Sequence, residues 1–190
     1  MCEFNVNPGT HLMMSWAIAE TLPVDNRDKR LISWAGVMPD LDGIGAVVDL
    51  ANSWLGRMTT FYEDYHHFLL HGLFGALVIS GATALLSQRR WRTALFAFAV
   101  IHVHLLADVV GSRGPSPVDV WPIHCLGPFS HRWTIAWTGQ WPLNSWPNQL
   151  VAVGLLGMAI WSTVARKRSP ATLFGERAND ALIRMVSRQG

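Results

Sequence analysis

Histidines and aspartates sit inside, or at the edge of, the most apolar parts of this chain, in four short clusters. They are Gly9-Thr10-His11, Pro39-Asp40-Leu41-Asp42, His66-His67-Phe68-Leu69-Leu70-His71 and His102-Val103-His104-Leu105-Leu106-Ala107-Asp108. Burying imidazole and carboxylate costs free energy unless each group finds a partner. A divalent metal best satisfies such a mixture of nitrogen and oxygen donors. The expected ligands are His11, Asp40, Asp42, His66, His71, His104 and Asp108, holding Zn2+ or a similar ion. These are more donors than one zinc ion requires. Roughly one to three ions are expected, and two together activate water and stabilise both attacking and leaving oxygens.

Spacing adds detail. His104 and Asp108 are four apart and share one helix face, as do His67 and His71. His66 and His71 diverge by ~140° on an ideal helix, so both meet one site only if His66 lies at a helix start. Asp40 and Asp42 follow a proline, where the chain is extended or turning. Asp42 and His67 are the candidate general bases. His102 faces another side of its helix from His104, and His124 and His131 lie in a Trp-rich loop near the mouth of a site.

Each cluster also has a purely structural reading. His11 alone reads as a capping residue, and Pro-Asp-Leu-Asp as a helix stop. His66-His67 read as interfacial polar residues, and His104 with Asp108 as a hydrogen-bonded pair. Their conjunction favours function, because ionisable residues within apolar spans are by default functional.

The elements that must position them are helices. The 190 residues suggest one domain, with half of them hydrophobic, 15% charged and ten Trp. Soluble domains carry roughly 25% charge, so the balance fits a membrane protein or an unusually apolar helical core. The net charge of +2 gives no argument for nucleic acid. Cys2 and Cys125 form no CxxC pair, so neither a disulfide framework nor a zinc finger is expected. No basic stretch followed by an apolar one opens the chain, so no cleavable signal peptide is expected.

The pattern predicts an irregular start over 1–9, a helix over 11–22 capped by Thr10, and a polar turn over 25–30. A short helix over 31–38 follows, then another near 44–54. Apolar runs occupy Phe68–Leu86, Thr93–Val110 and Leu150–Val164; the first two approach the ~20 residues of a bilayer span and the third is a little short. Residues 111–147 hold six of the ten prolines and five Trp and read as an ordered loop or lid. Residues 171–190 read as a polar tail with a short amphipathic helix near 178–187, after a metal-site domain over 1–170. No strand-like alternation is evident, so the class is all-α: a membrane-associated helical bundle.

Basic clusters at 27–30, 89–92 and 166–168 alternate along the chain with the ligand clusters. Traced as alternating helices, the ligands gather at one end of the bundle and the basic turns at the other. The positive-inside rule then puts the basic end in the cytoplasm, in a bacterial inner membrane. The first two helices are too short to span comfortably and are expected to be half-spanning or peripheral.

The order of motifs resembles the YdjM-like family of bacterial membrane-bound, metal-dependent hydrolases. The resemblance runs from Gly9 to about Trp133. It rests on Gly9-Thr10-His11, Val37-Met38-Pro39-Asp40-Leu41-Asp42, His66 to His71, His104-Leu105-Leu106-Ala107-Asp108, Gly114 and Trp121-Pro122 to Pro128-Phe129-Ser130. The ligand pattern is also distantly similar to the zinc-dependent phospholipase C and S1/P1 nuclease fold, which would imply phosphoester cleavage. One departure stands out. The family usually reads His-Arg-Gly-x-Thr-His-Ser where this chain has His66-His67-Phe68-Leu69-Leu70-His71-Gly72. Both end histidines are kept, and His67 stands in place of the Arg.

The expected function is therefore a membrane-associated metal-dependent hydrolase acting on an ester or phosphoester, including lipid-linked ones, through a metal-activated water. Its expected partners are membrane lipid and that small-molecule or lipid-linked substrate. The rivals are a haem-binding electron carrier ligated by His71 and His104, a non-catalytic membrane protein with a structural metal site, and a proton or metal transporter.

Overall fold

The computed structural model describes residues 8–188. Its first helix, α1 (Pro8–Thr21), starts two residues before the expected Thr10 cap. Proline fits the first helical position, where its missing N–H loses nothing. The irregular stretch expected at the start otherwise lies outside the described residues. The polar turn expected over 25–30 is instead the opening of α2 (Asn26–Ala35). Asp25 caps it, its carboxylate accepting from Asp28 N at 3.0 Å, which satisfies an orphan donor of the first turn.

After α2 the chain bends by 41° into a 3-10 turn over Met38–Ile44 and then α3 (Gly45–Trp54). A five-residue helix, α4 (Phe61–Tyr65), leads into an irregular stretch. Here the structure departs from expectation. Residues 66–72 are not helical, and α5 begins only at Leu73, ending at Leu86. His67 sits in the left-handed region at φ 64°, so the face shared by His67 and His71 on a common helix does not exist. The apolar run supplies 14 helical residues rather than a full span.

α6 (Arg90–Gly111) carries His104 and Asp108 as expected. The lid region contains a hairpin that was not expected, β1 (Ile123–Leu126) against β2 (Ser130–Ile135), antiparallel. α7 (Trp146–Trp161) continues through a π turn to Arg166, so this span is longer than its apolar run implied. A 3-10 turn (Pro170–Phe174) and α8 (Glu176–Ser187) follow. Leu173 of that turn packs on Trp16 and Ala159, and the Trp16 indole N–H donates to Thr172 Oγ1 at 2.8 Å.

The structure is mostly helical, and two of its helices, α6 and α7 with its π turn, are long and apolar enough to cross a membrane. A third span results if bent α2–α3 counts as one. Small residues make the central contacts: Ala35, Ala76 and Ala97 are buried with Ile79, Ile101 and Leu105. Close approach through small side chains is how helices associate where lipid offers no hydrophobic driving force. Outward faces stay apolar, with Leu77, Leu95, Leu106, Leu150, Val153 and Leu156 exposed.

The two ends differ as the sequence implied. At the basic end, buried Asp28 accepts from Gln88 N, Arg89 N and Thr93 Oγ1, capping α6 from α2. Arg27 donates to Leu86 O at the end of α5. Arg168 and Lys29 both pair with Glu20 at the end of α1. The helices are thus lashed together by the polar groups of their turns, leaving the opposite end to hold the histidines.

Candidate metal centre

Four segments deliver the central side chains. His11 lies in the first turns of α1, Asp40 in the bend after α2, His71 in the irregular stretch before α5, and His104 with Asp108 on one face of α6. Pro39 keeps the bend out of a continuous helix and so exposes Asp40 to the interior of the bundle end. His11, His71, His104 and Asp108 are buried, and Asp40 reaches the edge.

Their atoms converge. His71 Nε2 and His104 Nε2 are 3.2 Å apart. His104 Nε2 lies 3.1 Å from Asp108 Oδ2 and 3.6 Å from Asp40 Oδ1. His71 Nε2 lies 3.6 Å from Asp108 Oδ2 and 3.7 Å from Asp40 Oδ1. Ligands about 2.0–2.1 Å from a tetrahedral zinc ion stand about 3.3 Å from one another. The donor set therefore fits such an ion in both chemistry and spacing.

The outer nitrogens fix the tautomers. His104 Nδ1 faces Gly36 O at 2.8 Å and so must donate. His71 Nδ1 faces Asp42 Oδ2 at 2.9 Å and donates likewise. Each Nε2 then presents a lone pair to the other, which is repulsive unless a proton or a metal ion sits between them. A carboxylate or carbonyl behind each imidazole is the arrangement that orients metal-bound histidines. Gly36 makes the second of these possible. A Cβ there would collide with Ser15 Oγ and lie 2.6 Å from Val100 Cγ1, so any larger residue would move the carbonyl off His104.

Asp42 uses both oxygens. Oδ1 accepts from His66 Nδ1 at 2.8 Å, and Oδ2 from Leu70 N at 3.1 Å as well as from His71. The structure thus brings Asp42, His66 and His71 together as a second possible ligand group beside the quartet, and His67 with His71 and Asp108 as another. His67 is buried, with Nδ1 lacking a hydrogen-bond partner among the described residues. Its ring stacks on His71 at 4.4 Å and stands edge-on to Trp121 at 4.8 Å. A non-glycine residue in the left-handed region costs of order 1–3 kcal/mol and tends to mark functional sites.

Electrostatics follow from this packing. Burial alone would lower the His71 imidazole, but hydrogen bonds to Asp40 and Asp42 lift it to about 10. Burial and the neighbouring His71 hold His67 well below the ordinary histidine range, so it is neutral at pH 7.

Of the weaker candidates, His102 turns away and bonds Phe98 O on its own helix. His124 and His131 pack with Phe68 at the hairpin, outside the ligand groups.

Several neighbours were not read from the sequence. Tyr62 stacks on His66 at 4.5 Å. Burial and the carboxylates of Asp40, Asp42 and Asp108 push its hydroxyl up to about 12, so it remains a donor. Trp121 closes the aromatic wall over His66 and His67. Gln140, fully buried, accepts from Trp121 N through Oε1 and donates through Nε2 to Asp108 O at 2.7 Å. It ties the Trp-rich loop to the ligand-bearing helix. Ser112 donates to Asp108 Oδ1 at 3.0 Å. Ser112, four residues after Asp108, had a signal in the spacing, and Trp121 had one in the Trp121-Pro122 pair of the family motif.

No curated protein and no solved structure was found to match the chain. A family model does match, over residues 6–175, described as that of the YdjM inner membrane protein. With that match across most of its length, and with helices fit to cross a bilayer, the chain is an inner membrane protein and belongs to the YdjM family.

Proposed function

We propose that this protein is a metal-dependent hydrolase of the inner membrane, acting on an ester or phosphoester, with lipid-linked substrates within reach of its bilayer location. The observation that carries the reading is the quartet of His71 Nε2, His104 Nε2, Asp40 Oδ1 and Asp108 Oδ2, in which the two nitrogens stand 3.2 Å apart and each lies 3.1 to 3.7 Å from the two carboxylate oxygens. A haem is disfavoured by the same geometry. Its iron needs axial ligands on opposite faces of a wide macrocycle, whereas these two nitrogens nearly touch and share two carboxylates.

When bound, a Zn2+-like ion would supply Lewis acidity to water and to a substrate oxygen, which requires a fifth position beside the four protein donors. The protein supplies the rest. Asp42 and Gly36 O hold His71 and His104 in register, so in this reading Asp42 orients rather than ligates. His66 is held by Asp42 and lines the edge of the site. His67, neutral and with Nδ1 unpartnered among the described residues, would be the acceptor for a proton from water at the site, its basicity restrained by burial and the neighbouring His71. Tyr62 donates to the oxygen that gains charge. The rim carrying Asp40 and His66 is flanked by exposed Leu41, Ile44 and Phe61, which suits a substrate with an apolar tail.

The test is hydrolysis by purified, Zn2+-loaded protein in detergent micelles, with p-nitrophenyl esters, bis-p-nitrophenyl phosphate and phospholipids. Turnover that vanishes in His104→Ala supports the reading. A metal-loaded wild-type protein that cleaves none of these would overturn it.

A further inference from the structure

The quartet does not exhaust the buried donors at this end of the bundle. Asp108 gives Oδ2 to the quartet, while its Oδ1 lies 3.2 Å from His11 Nε2. Asp40 gives Oδ1, while its Oδ2 is buried without a hydrogen-bond partner among the described residues. The His11 ring lies against His104 with centroids 3.9 Å apart. Donor atoms of His11, Asp40 and His104 all fall within 4.8 Å of one another. Asp108 Oδ1, which also accepts from Ser112 Oγ at 3.0 Å, and a carboxylate oxygen of Asp40 thus both lie near the His11 imidazole.

We infer that His11 Nε2, Asp108 Oδ1 and Asp40 Oδ2 form a second seat for a divalent cation, with Asp40 and Asp108 bridging two ions. The inference rests on the first ion of the proposed function and deepens it. Three protein donors leave a fourth position open to water or substrate. Bridged ions stand ~3.5–4 Å apart in two-metal hydrolytic sites. Two groups compete: His67 with His71 and Asp108, which shares two residues with the first ion, and Asp42 with His66 and His71 Nδ1. In the latter both Asp42 oxygens are spent on His66, His71 and Leu70 N, whereas Asp40 Oδ2 in the proposed seat has no hydrogen-bond partner among the described residues.

The two seats differ in support. His71 and His104 each have an acceptor behind the outer nitrogen, whereas His11 Nδ1 is buried with no partner among the described residues. Partners of that kind are worth 10–100-fold in metal affinity. The second ion therefore binds more weakly and is the first removed by a chelator.

The deciding experiment loads the detergent-solubilised full chain with Zn2+ for elemental analysis and with Mn2+ for electron paramagnetic resonance. Two zinc ions per chain and an exchange-coupled manganese spectrum are expected. His11→Ala should retain one ion with an isolated six-line spectrum, and His66→Ala should retain both. One ion per wild-type chain with an uncoupled spectrum overturns the second seat and leaves the first standing. Loss of an ion in His66→Ala moves the second seat to Asp42 and also overturns the inference. No ion at all overturns both this and the proposed function. Should His11→Ala fail to fold, the wild-type stoichiometry and spectrum decide alone.

Discussion

His71 Nε2 and His104 Nε2 face each other at 3.2 Å while the outer nitrogen of each ring donates, to Asp42 and to Gly36 O. Two lone pairs this close require a cation between them. In the metal-free protein that cation is a proton on His71, whose affinity for it is raised to about 10.

Metal binding should therefore release a proton. Near pH 7.5 an ion must displace the one that His71 holds, because the raised value keeps this ring charged until pH approaches 10. Affinity should rise about tenfold per pH unit below that value. Titration calorimetry in two buffers of different ionisation enthalpy measures it. Binding heats that do not depend on the buffer would contradict the assignment.

Asp42→Asn keeps the shape of the side chain but removes the charge behind His71. Zinc affinity should fall roughly 10–100-fold, with the fold retained, as for other partners of ligating histidines. Competition with a chromophoric chelator gives the number. Unchanged affinity would mean that Asp42 does not orient His71.

Tyr62→Phe removes a hydroxyl but keeps the ring on His66. If Tyr62 donates to the substrate, turnover should drop by roughly 100–1,000-fold with metal content unchanged. Equal turnover in the two proteins would remove Tyr62 from the reaction.

Orientation follows from the turns. Arg27, Arg89 and Arg168 all lie at the end remote from His104, so by the positive-inside rule that end should face the cytoplasm. With Cys2 and Cys125 replaced by serine, a single cysteine introduced at Gln88 should be labelled only from the cytoplasmic side. Labelling from the opposite side would invert the topology.

Much of this arrangement was legible in the residues themselves. His104 and Asp108 share a long, strongly apolar helix, so their common face followed from spacing alone, and alternation of basic and ligand clusters gave the two ends of the bundle. What failed to show was local irregularity. Nothing in His66 to His71 signals that His67 adopts a left-handed conformation, because tertiary packing against Trp121 and His71 decides it. The hairpin was hidden because its strands are short and its outer residues, such as Trp133 and Ile135, are exposed and apolar, giving no alternation. Gln140 acts across 32 positions in sequence on Asp108, a relation no periodicity encodes. Asp42 could be read as polar among apolar neighbours, but whether it binds an ion or holds the residue that does depends on where both its oxygens point.

The central claim is that His71, His104, Asp40 and Asp108 surround a divalent ion. X-ray absorption at the zinc edge on the purified, zinc-loaded protein tests it most directly. Nitrogen and oxygen donors at about 2.0–2.1 Å are expected, with imidazole scattering that weakens in both His71→Ala and His104→Ala. Zinc bound without histidine scattering, or none retained after purification and loading, would contradict it.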